Sequence, residues 1–418
     1  MKILYLNAAG NLGGAERALL DLIASLRTAR PDWTCELIAG AEGGLVAEAR
    51  AVGAAASAIA LPRAAAVIGD AAAGGPAGSV IAAWRIAAGL ALAAPALARY
   101  TRDLAGAIAR SSPDLIHANG FKMQVLGARA AAGRTPLLWH VHDYLQARPL
   151  MPMLLRAHAR RCAAVIANSA SVAADVRAVL GGRCKVSTVY NAIDLERFSV
   201  AGPRLDLDRL CAMPPLGTGG VRVGLVATMA RWKGHATFLR AIAKVAASVP
   251  LRAYVIGGPL YETPGSQYTI AEVRACAAAC GVADRVGFTG FVDDPAAAMR
   301  ALDIVVHAST APEPFGLVIA EAMACGRAVI ASAGGGAAEI VTEGGDALTH
   351  RPGDADNLAE KITLLSNDAA MRMRLGTAAA AGAARRFTRE RLAAEVAPIY
   401  LEAAGAAARA RAAGRRSA

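Results

Sequence analysis

The sequence predicts an α/β protein with two doubly wound parallel sheets. Short runs rich in β-branched residues alternate with Ala-rich helical stretches along the chain, as they do in successive βα units. The runs form two sets on either side of segment 199–220, in which three prolines and several glycines indicate a linker. A chain of 418 residues is also long for a single core and suits two domains.

The predicted strands are mostly apolar, as expected where helices cover both faces of a parallel sheet. Before the linker they are Ile3–Asn7, Cys35–Ala39, Asp114–His117, Leu137–Val141, Val165–Asn168 and Lys185–Tyr190. After it they are Val223–Ala227, Ala253–Gly257, Val286–Thr289, Asp303–His307 and Ala328–Ser332. Ligands of open α/β sheets bind at the carboxyl ends of such strands, so functional residues are expected there.

Composition and charge narrow the classes of partner. Apolar residues make up 55% of the chain, so most of it is expected to fold, and the formal net charge is +12. A basic surface can serve nucleic acid, anionic lipid or an anionic substrate. Nucleic acid is disfavoured, because aromatic residues are few and no Lys/Arg-rich run is interleaved with them. The Arg-rich carboxyl tail, residues 409–416, is either a contact for anionic headgroups or a solvated helix end.

The cysteine pattern and the amino-terminal segment favour a cytoplasmic location. The seven cysteines are scattered without a C-x-x-C pair, which suits a reducing compartment. The opening MKILYLNAAGNLGG is read as a first strand and its loop rather than as a signal peptide. The Ala-rich stretch Ser79–Tyr100 contains Arg85, Gly89 and Pro95, so core packing or seating at a membrane interface is favoured over spanning. The expected location is cytoplasmic, with peripheral contact to the inner face of the membrane left open.

The most informative segment is EPFGLVIAE at residues 313–321. It follows the apolar run DIVVH, so Glu313 is expected at the carboxyl end of a strand. Gly316 permits a tight entry into a helix from about Leu317, which places Glu321 just over one turn into that helix. Backbone amides at such a helix start favour a phosphate, and the two carboxylates can accept from hydroxyl groups. This combination suits a nucleotide sugar.

The segment also resembles a known family. EPFGLVIAE has the E-x7-E spacing of retaining glycosyltransferases of family 4, and the following EAMACGRAVIASAGGGAAEIV is similar to that family's signature. Further motifs of the family are resembled by GGAERAL at 13–19, DLIHANG at 114–120, HVHD at 140–143, YNAIDLERF at 190–198, ATMARWKGH at 227–235 and TGFVDDP at 289–295. A lone E-x7-E occurs by chance, but this ordered set is specific.

The resemblance implies the GT-B fold, in which two Rossmann-like domains face each other across a cleft. The expected acceptor-side domain is 1–202, completed by a carboxyl-terminal helix at 389–418, and the expected nucleotide-sugar domain is 203–388. The implied activity is retaining transfer of a sugar from a UDP- or GDP-sugar to a glycan, glycolipid or other hydroxyl acceptor. The implied setting is synthesis of cell-surface polysaccharide or lipopolysaccharide.

The resemblance also implies roles for particular residues. Arg231 and Lys233 match the family's diphosphate-binding pair, Glu313 the residue on the sugar hydroxyls, and Glu321 the residue on the ribose. His142 matches the active-site histidine near the C6 hydroxyl of the sugar. The predicted catalytic set is His142, Glu313, Arg231 and Lys233, and the predicted donor contacts also include Gly14, Phe291, Val292, Phe315, Gly316, Leu317 and Glu321.

Metal-dependent chemistry is the competing hypothesis. Asp293 and Asp294 are adjacent rather than spaced as D-x-D, so no metal or other cofactor is expected. His140 and His142 share a strand face and could begin a zinc site, with Asp143 and His117 as candidate further ligands. In the implied front-face substitution, the departing phosphate oxygen takes the acceptor's proton, and no protein nucleophile is needed.

Two other classes of protein remain as alternatives. A non-catalytic GT-B scaffold of a polysaccharide assembly complex would keep the fold, but the retained Arg231, Lys233, Glu313 and Glu321 argue against it. An NAD-dependent oxidoreductase is disfavoured, because the first glycines fit G-x-x-G-G and not G-x-G-x-x-G. Beside these glycines, Glu16 and Arg17 either meet the acceptor or form the exposed first turn of a helix.

Overall fold

The computed structural model describes residues 1–62, 80–131, 133, 135–148, 151–260 and 265–416. The chain divides into two compact units, Met1–Ala192 with Arg389–Ala418, and Ile193–Thr388. The strands described in each unit pair in parallel throughout. The expected α/β class with two parallel-sheet domains is therefore confirmed.

The first unit alternates strands and helices. Its strands are β1 (Lys2–Asn7), β2 (Thr34–Ala39), β3 (Ala55–Ala58), β4 (Leu115–Asn119), β5 (Leu137–Val141), β6 (Cys162–Ala167) and β7 (Val186–Thr188). Its helices up to residue 192 are α1 (Gly14–Ala29), α2 (Gly44–Ala51), α3 (Val80–Ser111), α4 (Phe121–Ala130), α5 (Met151–His158) and α6 (Ala170–Leu180). Within the described ranges these strands form one sheet in the order β3-β2-β1-β4-β5-β6-β7.

The second unit repeats this plan. Its strands are β8 (Val221–Val226), β9 (Leu251–Ile256), β10 (Val286–Gly290), β11 (Ile304–His307), β12 (Ala328–Ser332) and β13 (Leu348–His350). Its helices are α7 (Leu207–Leu210), α8 (His235–Val245), α9 (Ile270–Ala279), α10 (Pro295–Arg300), α11 (Leu317–Ala324), α12 (Ala355–Asn367) and α13 (Ala369–Arg386). The sheet order among the described strands is β10-β9-β8-β11-β12-β13.

The last helix, α14 (Arg389–Arg416), belongs to the first unit. The Arg389 guanidinium donates two hydrogen bonds to Asp21 Oδ1 of α1, at 3.0 and 2.7 Å. Further along, the Tyr400 hydroxyl lies 2.6 Å from His117 Nδ1 at the centre of the sheet. Ionic and buried polar contacts thus join α14 to the unit that begins the chain.

The division between the units falls at 192/193, whereas the sequence placed it at 202/203. Residues after 192 are hydrogen-bonded to the second unit, which explains the difference. The Ile193 amide donates to Phe387 O at 3.0 Å, and the buried Arg300 guanidinium donates to the Ser199 and Pro203 carbonyls. A Pro- and Gly-rich composition indicated a linker, but these contacts place its first half in the second unit.

The stretch Ser79–Tyr100 falls within helix α3 from residue 80 onwards, with Pro95 inside the helix. Ser79 and the side chains of 80–92 lie outside the described residues, as do the side chains of Arg411, Arg415 and Arg416 in the tail. Among the helices described, none combines the length and apolar character needed to cross a bilayer.

Each sheet has one position where the strand order reverses. In the first unit it lies between β1 and β4, and in the second between β8 and β11. Connections leave these neighbouring strands toward opposite faces, which opens a crevice beyond their carboxyl ends. The polar residues described next follow these strands.

Candidate active site

Lys233 is placed by a tight turn after β8. Residues Arg231–Lys233 form a short 3-10 turn, and Gly234 with φ of +77° leads into α8. A Cβ added to Gly234 would lie 1.9 Å from the carbonyl oxygen of Ala308, directly after β11. Glycine is therefore required both for the backbone conformation and for the close approach, and this approach holds Lys233 near the end of β11.

Glu313 lies in the loop after β11, where three side chains converge on one of its oxygens. Lys233 Nζ is 2.7 Å from Glu313 Oε2, His307 Nε2 is 2.9 Å from it, and the Ser309 hydroxyl donates to it at 2.9 Å. The side chains of His307, Ser309 and Glu313 are buried. We call Glu313, Lys233, His307 and Ser309 the Glu313 cluster.

The hydrogen bonds determine which nitrogen of His307 carries the proton. The Ser332 amide donates to His307 Nδ1 at 3.3 Å, so Nδ1 is an acceptor. A neutral imidazole then has its hydrogen on Nε2, which donates to Glu313. His307 therefore holds the carboxylate without needing a charge of its own.

Charge keeps Glu313 ionised although it is buried. Burial by itself would raise the pKa of Glu313, but the Lys233 ammonium and the hydrogen bond from His307 outweigh it and lower the pKa below its usual value. The result is a partly buried cation next to a buried anion at the reversal point of the second sheet. Such a pair can bind both a phosphate and a hydroxyl group.

Arg231 is two residues from Lys233 but points to different partners. Its guanidinium donates to Glu272 Oε1 at 2.9 Å and to Gly265 O at 3.0 Å, and lies 4.4 Å from the centre of the Tyr268 ring. The Arg231–Glu272 pair is nearly half exposed. Exposed pairs of this kind are screened by solvent and contribute little, so Arg231 can exchange Glu272 for a stronger anion at little cost.

The loop that enters α11 carries the remaining predicted donor contacts. Gly316, with φ of +94°, is the residue that precedes the helix, and Leu317 is its first residue. Glu321 lies half-buried on this helix. The Phe315 ring is buried and packs edge-to-face on Phe387 with centroids 5.8 Å apart, so the ring stabilises the loop from inside.

Phe291 and Val292 follow β10. The Phe291 side chain is 60% exposed, an unusual state for a large aromatic residue that leaves its ring free to stack on a flat ligand. The next residues serve the fold: Asp294 Oδ1 accepts from the Ala297 amide at 3.0 Å and caps α10. Because its carboxylate is used in this way, Asp294 is a poor half of a D-x-D-like metal site.

In the first unit, His142 follows β5. Its Nε2 lies 2.7 Å from Asn119 Oδ1, and its ring lies against His140 with centroids 3.9 Å apart. His140 in turn contacts His117 edge-on at 5.1 Å. We call His117, His140 and His142 the His142 cluster. Burial lowers the pKa of His142 to about 4 and the pKa of His117 to about 3, so both are neutral near pH 7.

Because three imidazoles lie close together, we tested whether the His142 cluster could form a zinc site. Over the described ranges, no group of three or more His, Cys, Asp or Glu side chains is arranged to hold a metal ion. Asp143, the other candidate ligand, is paired with Arg148 at 2.7 Å. The imidazoles contact one another through their rings, as core residues do.

The glycine loop after β1 is packed backbone against backbone. A Cβ on Gly10 would lie 2.5 Å from the carbonyl oxygens of both Ala41 and Glu42, so the close approach requires glycine. Gly14 is the exposed first residue of α1. Glu16 Oε2 accepts from the Gly13 amide at 3.1 Å, which assigns Glu16 to the helix start rather than to an exposed turn.

The structure thus brings Lys233 and Glu313 into direct contact, while Arg231 is engaged with Glu272. The sequence analysis missed His307, Ser309 and Asn119, which hold the two proposed catalytic residues Glu313 and His142. A signal was present, because His307 and Asn119 are polar residues that end apolar strands and Ser309 lies two residues beyond His307.

Two family models match the chain. Residues 12–197 match the model described as Glycosyltransferase Family 4, and residues 220–368 match Glycosyl transferases group 1. The D-inositol 3-phosphate glycosyltransferase 2 of Catenulispora acidiphila is 34% identical over 204 residues, which are 46% of this chain and 45% of that protein. The N-acetyl-alpha-D-glucosaminyl L-malate synthase of Bacillus anthracis is 24% identical over 255 residues, 61% of this chain and 63% of that one. The chain spans about half the length of the first curated relatives it matches.

Solved structures extend the likeness to both units. Anabaena Alr3699/HepE in complex with UDP-glucose superposes with a TM-score of 0.76 at 27% identity, covering 96% of this chain and 99% of that one. Sucrose-phosphate synthase from Thermosynechococcus elongatus, at 22% identity and a TM-score of 0.75, covers 97% and 99% and shares the fold. The two-sheet architecture is that of GT-B glycosyltransferases, and the chain belongs to glycosyltransferase family 4.

Proposed function

We propose that the protein is a retaining glycosyltransferase that moves a sugar from a UDP- or GDP-sugar to a hydroxyl acceptor without a metal ion. The observation that carries the proposal is the contact between the partly buried Lys233 and the buried Glu313 at the reversal point of the second sheet. An ammonium has three donor hydrogens, so Lys233 can keep its bond to Glu313 and still donate to a diphosphate.

The chemistry requires charge stabilisation on the leaving group. As the bond between the anomeric carbon and the diphosphate oxygen breaks, negative charge grows on the nucleoside diphosphate. Arg231 and Lys233 are the cations proposed to meet it, while Glu313 accepts from hydroxyls of the transferred sugar and Glu321 from those of the ribose. The acceptor oxygen then bonds to the anomeric carbon on the same face, and its proton passes to the departing phosphate oxygen.

His142 has a different proposed part. Because its pKa is lowered to about 4, it is uncharged near pH 7 and is a poor general acid there. A neutral imidazole can instead accept from or donate to a sugar hydroxyl and orient the donor. Gly14, Phe291, Val292, Phe315, Gly316 and Leu317 remain proposed donor contacts, through backbone atoms or, for Phe291, through its exposed ring.

Candidate substrates follow from the relatives. The Anabaena protein was crystallised with UDP, with UDP and glucose, and with UDP-glucose, which makes uridine donors the first to test, ahead of GDP- and ADP-sugars. Several curated relatives are named for D-inositol 3-phosphate, so this compound belongs in the acceptor panel beside glycans and lipid-linked sugars. Synthesis of cell-surface polysaccharide or lipopolysaccharide at the inner face of the membrane is the proposed setting.

The test separates the two carboxylates by the part of the donor each one meets. Glu321→Gln is expected to weaken free nucleoside diphosphate and intact donor alike, since both contain the ribose. Glu313→Gln is expected to reduce transfer while nucleoside diphosphate affinity stays near wild type. Glu360→Gln, on the exposed face of α12, is the matched control. NMR of the product must show retention of the donor's anomeric configuration; an inverted product would refute the proposal.

A further inference from the structure

A continuous chain of hydrogen bonds in the first unit ends on His142. His142 Nε2 lies 2.7 Å from Asn119 Oδ1, and Asn119 Nδ2 donates to Asn7 Oδ1 at 2.8 Å. Asn7 Nδ2 donates to Glu16 Oε1 at 3.2 Å. The second oxygen of Glu16 accepts from the Gly13 amide at 3.1 Å. We call Glu16, Asn7 and Asn119 the Asn119 chain.

Only one arrangement of donors and acceptors satisfies this chain. Ala9 O is a carbonyl oxygen that can only accept, and it lies with Glu16 Oε1 within hydrogen-bond distance of one Asn7 atom, so that atom must be the amide nitrogen. The same nitrogen also donates to Ala9 O at 2.9 Å, which uses both of its hydrogens. Asn7 Oδ1 therefore faces Asn119 Nδ2, and Asn119 Oδ1 faces His142. An oxygen acceptor requires a donor, so His142 carries its hydrogen on Nε2.

The Asn119 chain lies within the sheet rather than at its surface. Asn7 ends β1 and Asn119 ends β4, the two strands on either side of the reversal point, and both side chains are almost fully buried. In such a dry setting, reversing one amide would leave a donor facing a donor, which costs the full desolvation of each group. The orientation is therefore strongly specified.

We infer that Asn7, Asn119 and Glu16 are positioning residues for His142: they fix its hydrogen on Nε2, so that Nδ1 is the atom left to accept a hydroxyl. His142 Nδ1 has no hydrogen-bond partner within the described part of the chain. Because Glu16 also holds the Gly13 amide, the chain joins His142 to the start of α1, where Gly14 lies. The inference rests on the proposed function for its consequence, but the hydrogen position can be measured by itself.

The test is nitrogen-15 NMR of the full chain with labelled histidine, with His142 assigned by its loss in His142→Gln. The wild-type protein is expected to show one His142 tautomer with hydrogen on Nε2. Asn119→Leu removes the acceptor and is expected to give a mixture of tautomers and about a tenfold or larger fall in kcat, with nucleoside diphosphate affinity unchanged. Asn168→Leu is the matched control, because Asn168 is a buried amide after β6 that is not part of the Asn119 chain. It is expected to change neither the tautomer nor kcat.

Asn119→Asp distinguishes the hydrogen bond to His142 from simple packing, because it keeps both the side-chain size and the acceptor oxygen. The carboxylate still accepts from His142 Nε2 but cannot donate to Asn7, and it raises the pKa of His142. At a pH above that pKa, hydrogen is expected to stay on Nε2 and kcat to exceed that of Asn119→Leu. Hydrogen on Nδ1 in the wild type, or a tautomer and kcat unchanged in Asn119→Leu, would overturn the inference. If Asn119→Leu does not fold, the wild-type spectrum and Asn119→Asp still decide. If no nucleotide sugar supports transfer, the proposed function fails. The NMR spectrum still tests whether the Asn119 chain fixes the tautomer of His142.

Discussion

The Glu313 cluster and the His142 cluster occupy equivalent edges of the two sheets, but the first is charged and the second is uncharged. Glu313 is kept ionised by a lysine 2.7 Å away, with His307 and Ser309 adding hydrogen bonds. The His142 cluster is kept uncharged, because burial lowers the pKa of all three histidines. His142 is held by a neutral amide, Asn119 Oδ1.

The difference shows that one topology can prepare two kinds of site. The ammonium of Lys233 keeps donor hydrogens beyond the one given to Glu313, and therefore suits the diphosphate part of the proposed donor. A cluster of neutral imidazoles offers directional hydrogen bonds without a charge, which suits hydroxyl groups. The contrast can be tested by removing charge from the Glu313 cluster and by protonating the His142 cluster.

The largest expected effect comes from Lys233→Ala. It leaves the buried Glu313 without its cation, and breaking a buried pair costs about 3–5 kcal/mol, partly offset if the carboxyl takes up a proton. Transfer is expected to fall at least a hundredfold, because the proposed phosphate contact is lost as well. Unfolding midpoints and kcat/KM measure the two effects.

Lys244→Ala is the matched control. Lys244 pairs with Asp356 at 2.6 Å in the same unit, but both side chains are more than half exposed. Removing it is expected to change the free energy of unfolding by about 0.5 kcal/mol or less and to leave transfer intact. Equal behaviour of the two variants would show that the Glu313 cluster is not a special charged site.

The next expected effect is on transfer alone, with no change in the stability of the fold. Arg231→Ala removes an exposed guanidinium, so the unfolding midpoint is expected to stay near wild type. Transfer is expected to fall ten- to several-hundredfold, from the loss of a charge-assisted contact of about 1.5–3 kcal/mol. Glu272→Gln removes the charge that pairs with Arg231 but leaves a side chain that can still complete the capping box of α9, so it should retain transfer. Wild-type turnover in a folded Arg231→Ala would remove Arg231 from the proposed mechanism.

Acid should lower the free energy of unfolding between pH 6.5 and about 5, in part through the His142 cluster. Unfolded histidines take up protons below about pH 6.5, whereas folded His142 and His117 do so only near pH 4 and 3, judged by their lowered pKa values. The unfolded chain then binds more protons, so stability falls as pH falls, by up to about 1.4 kcal/mol per pH unit for each such histidine.

His140→Phe isolates this effect, since the pKa of His140 is lowered well below its usual value. The variant is expected to lose stability less steeply than wild type between pH 6.5 and 5. This comparison is needed because burial also lowers the pKa of His235, in the second unit, to about 4. An unchanged slope in His140→Phe would contradict the neutral state of the cluster.

The smallest expected effect is that of chelation. The cations proposed to face the leaving group are side chains, so EDTA should leave transfer within about twofold of its starting rate. Loss of activity that manganese or magnesium restores would refute the metal-independent proposal. It would also require a search for ligands beyond Asp294, whose carboxylate caps α10.

The strands were more predictable than the contacts between them. Each of the eleven predicted strands overlaps an observed one, because buried parallel strands are marked by apolar runs. The strands β3 and β13, with sequences AASA and LTH, were missed, and both are short edge strands with one neighbour. The family motifs identified Glu313 and Lys233, but not their direct contact, since no pattern links positions so far apart in sequence.

His307 shows what the sequence analysis could have used. The run DIVVH predicts an apolar strand, and the histidine at its carboxyl end is the one polar, hydrogen-bonding side chain after its apolar core. Asn7 and Asn119 end β1 and β4 in the same way. Polar residues that end apolar strands beside a reversal point are therefore worth testing as holders of functional side chains.

Gly234 has a consequence for directed evolution of the protein. Any side chain there would place a carbon 1.9 Å from Ala308 O, in a backbone conformation that already disfavours side chains. In a saturation library this position should accept glycine alone, so it offers no route to altered donor choice. Diversity is better directed to exposed positions such as Phe291, where new side chains can be tolerated without moving the backbone that carries Lys233.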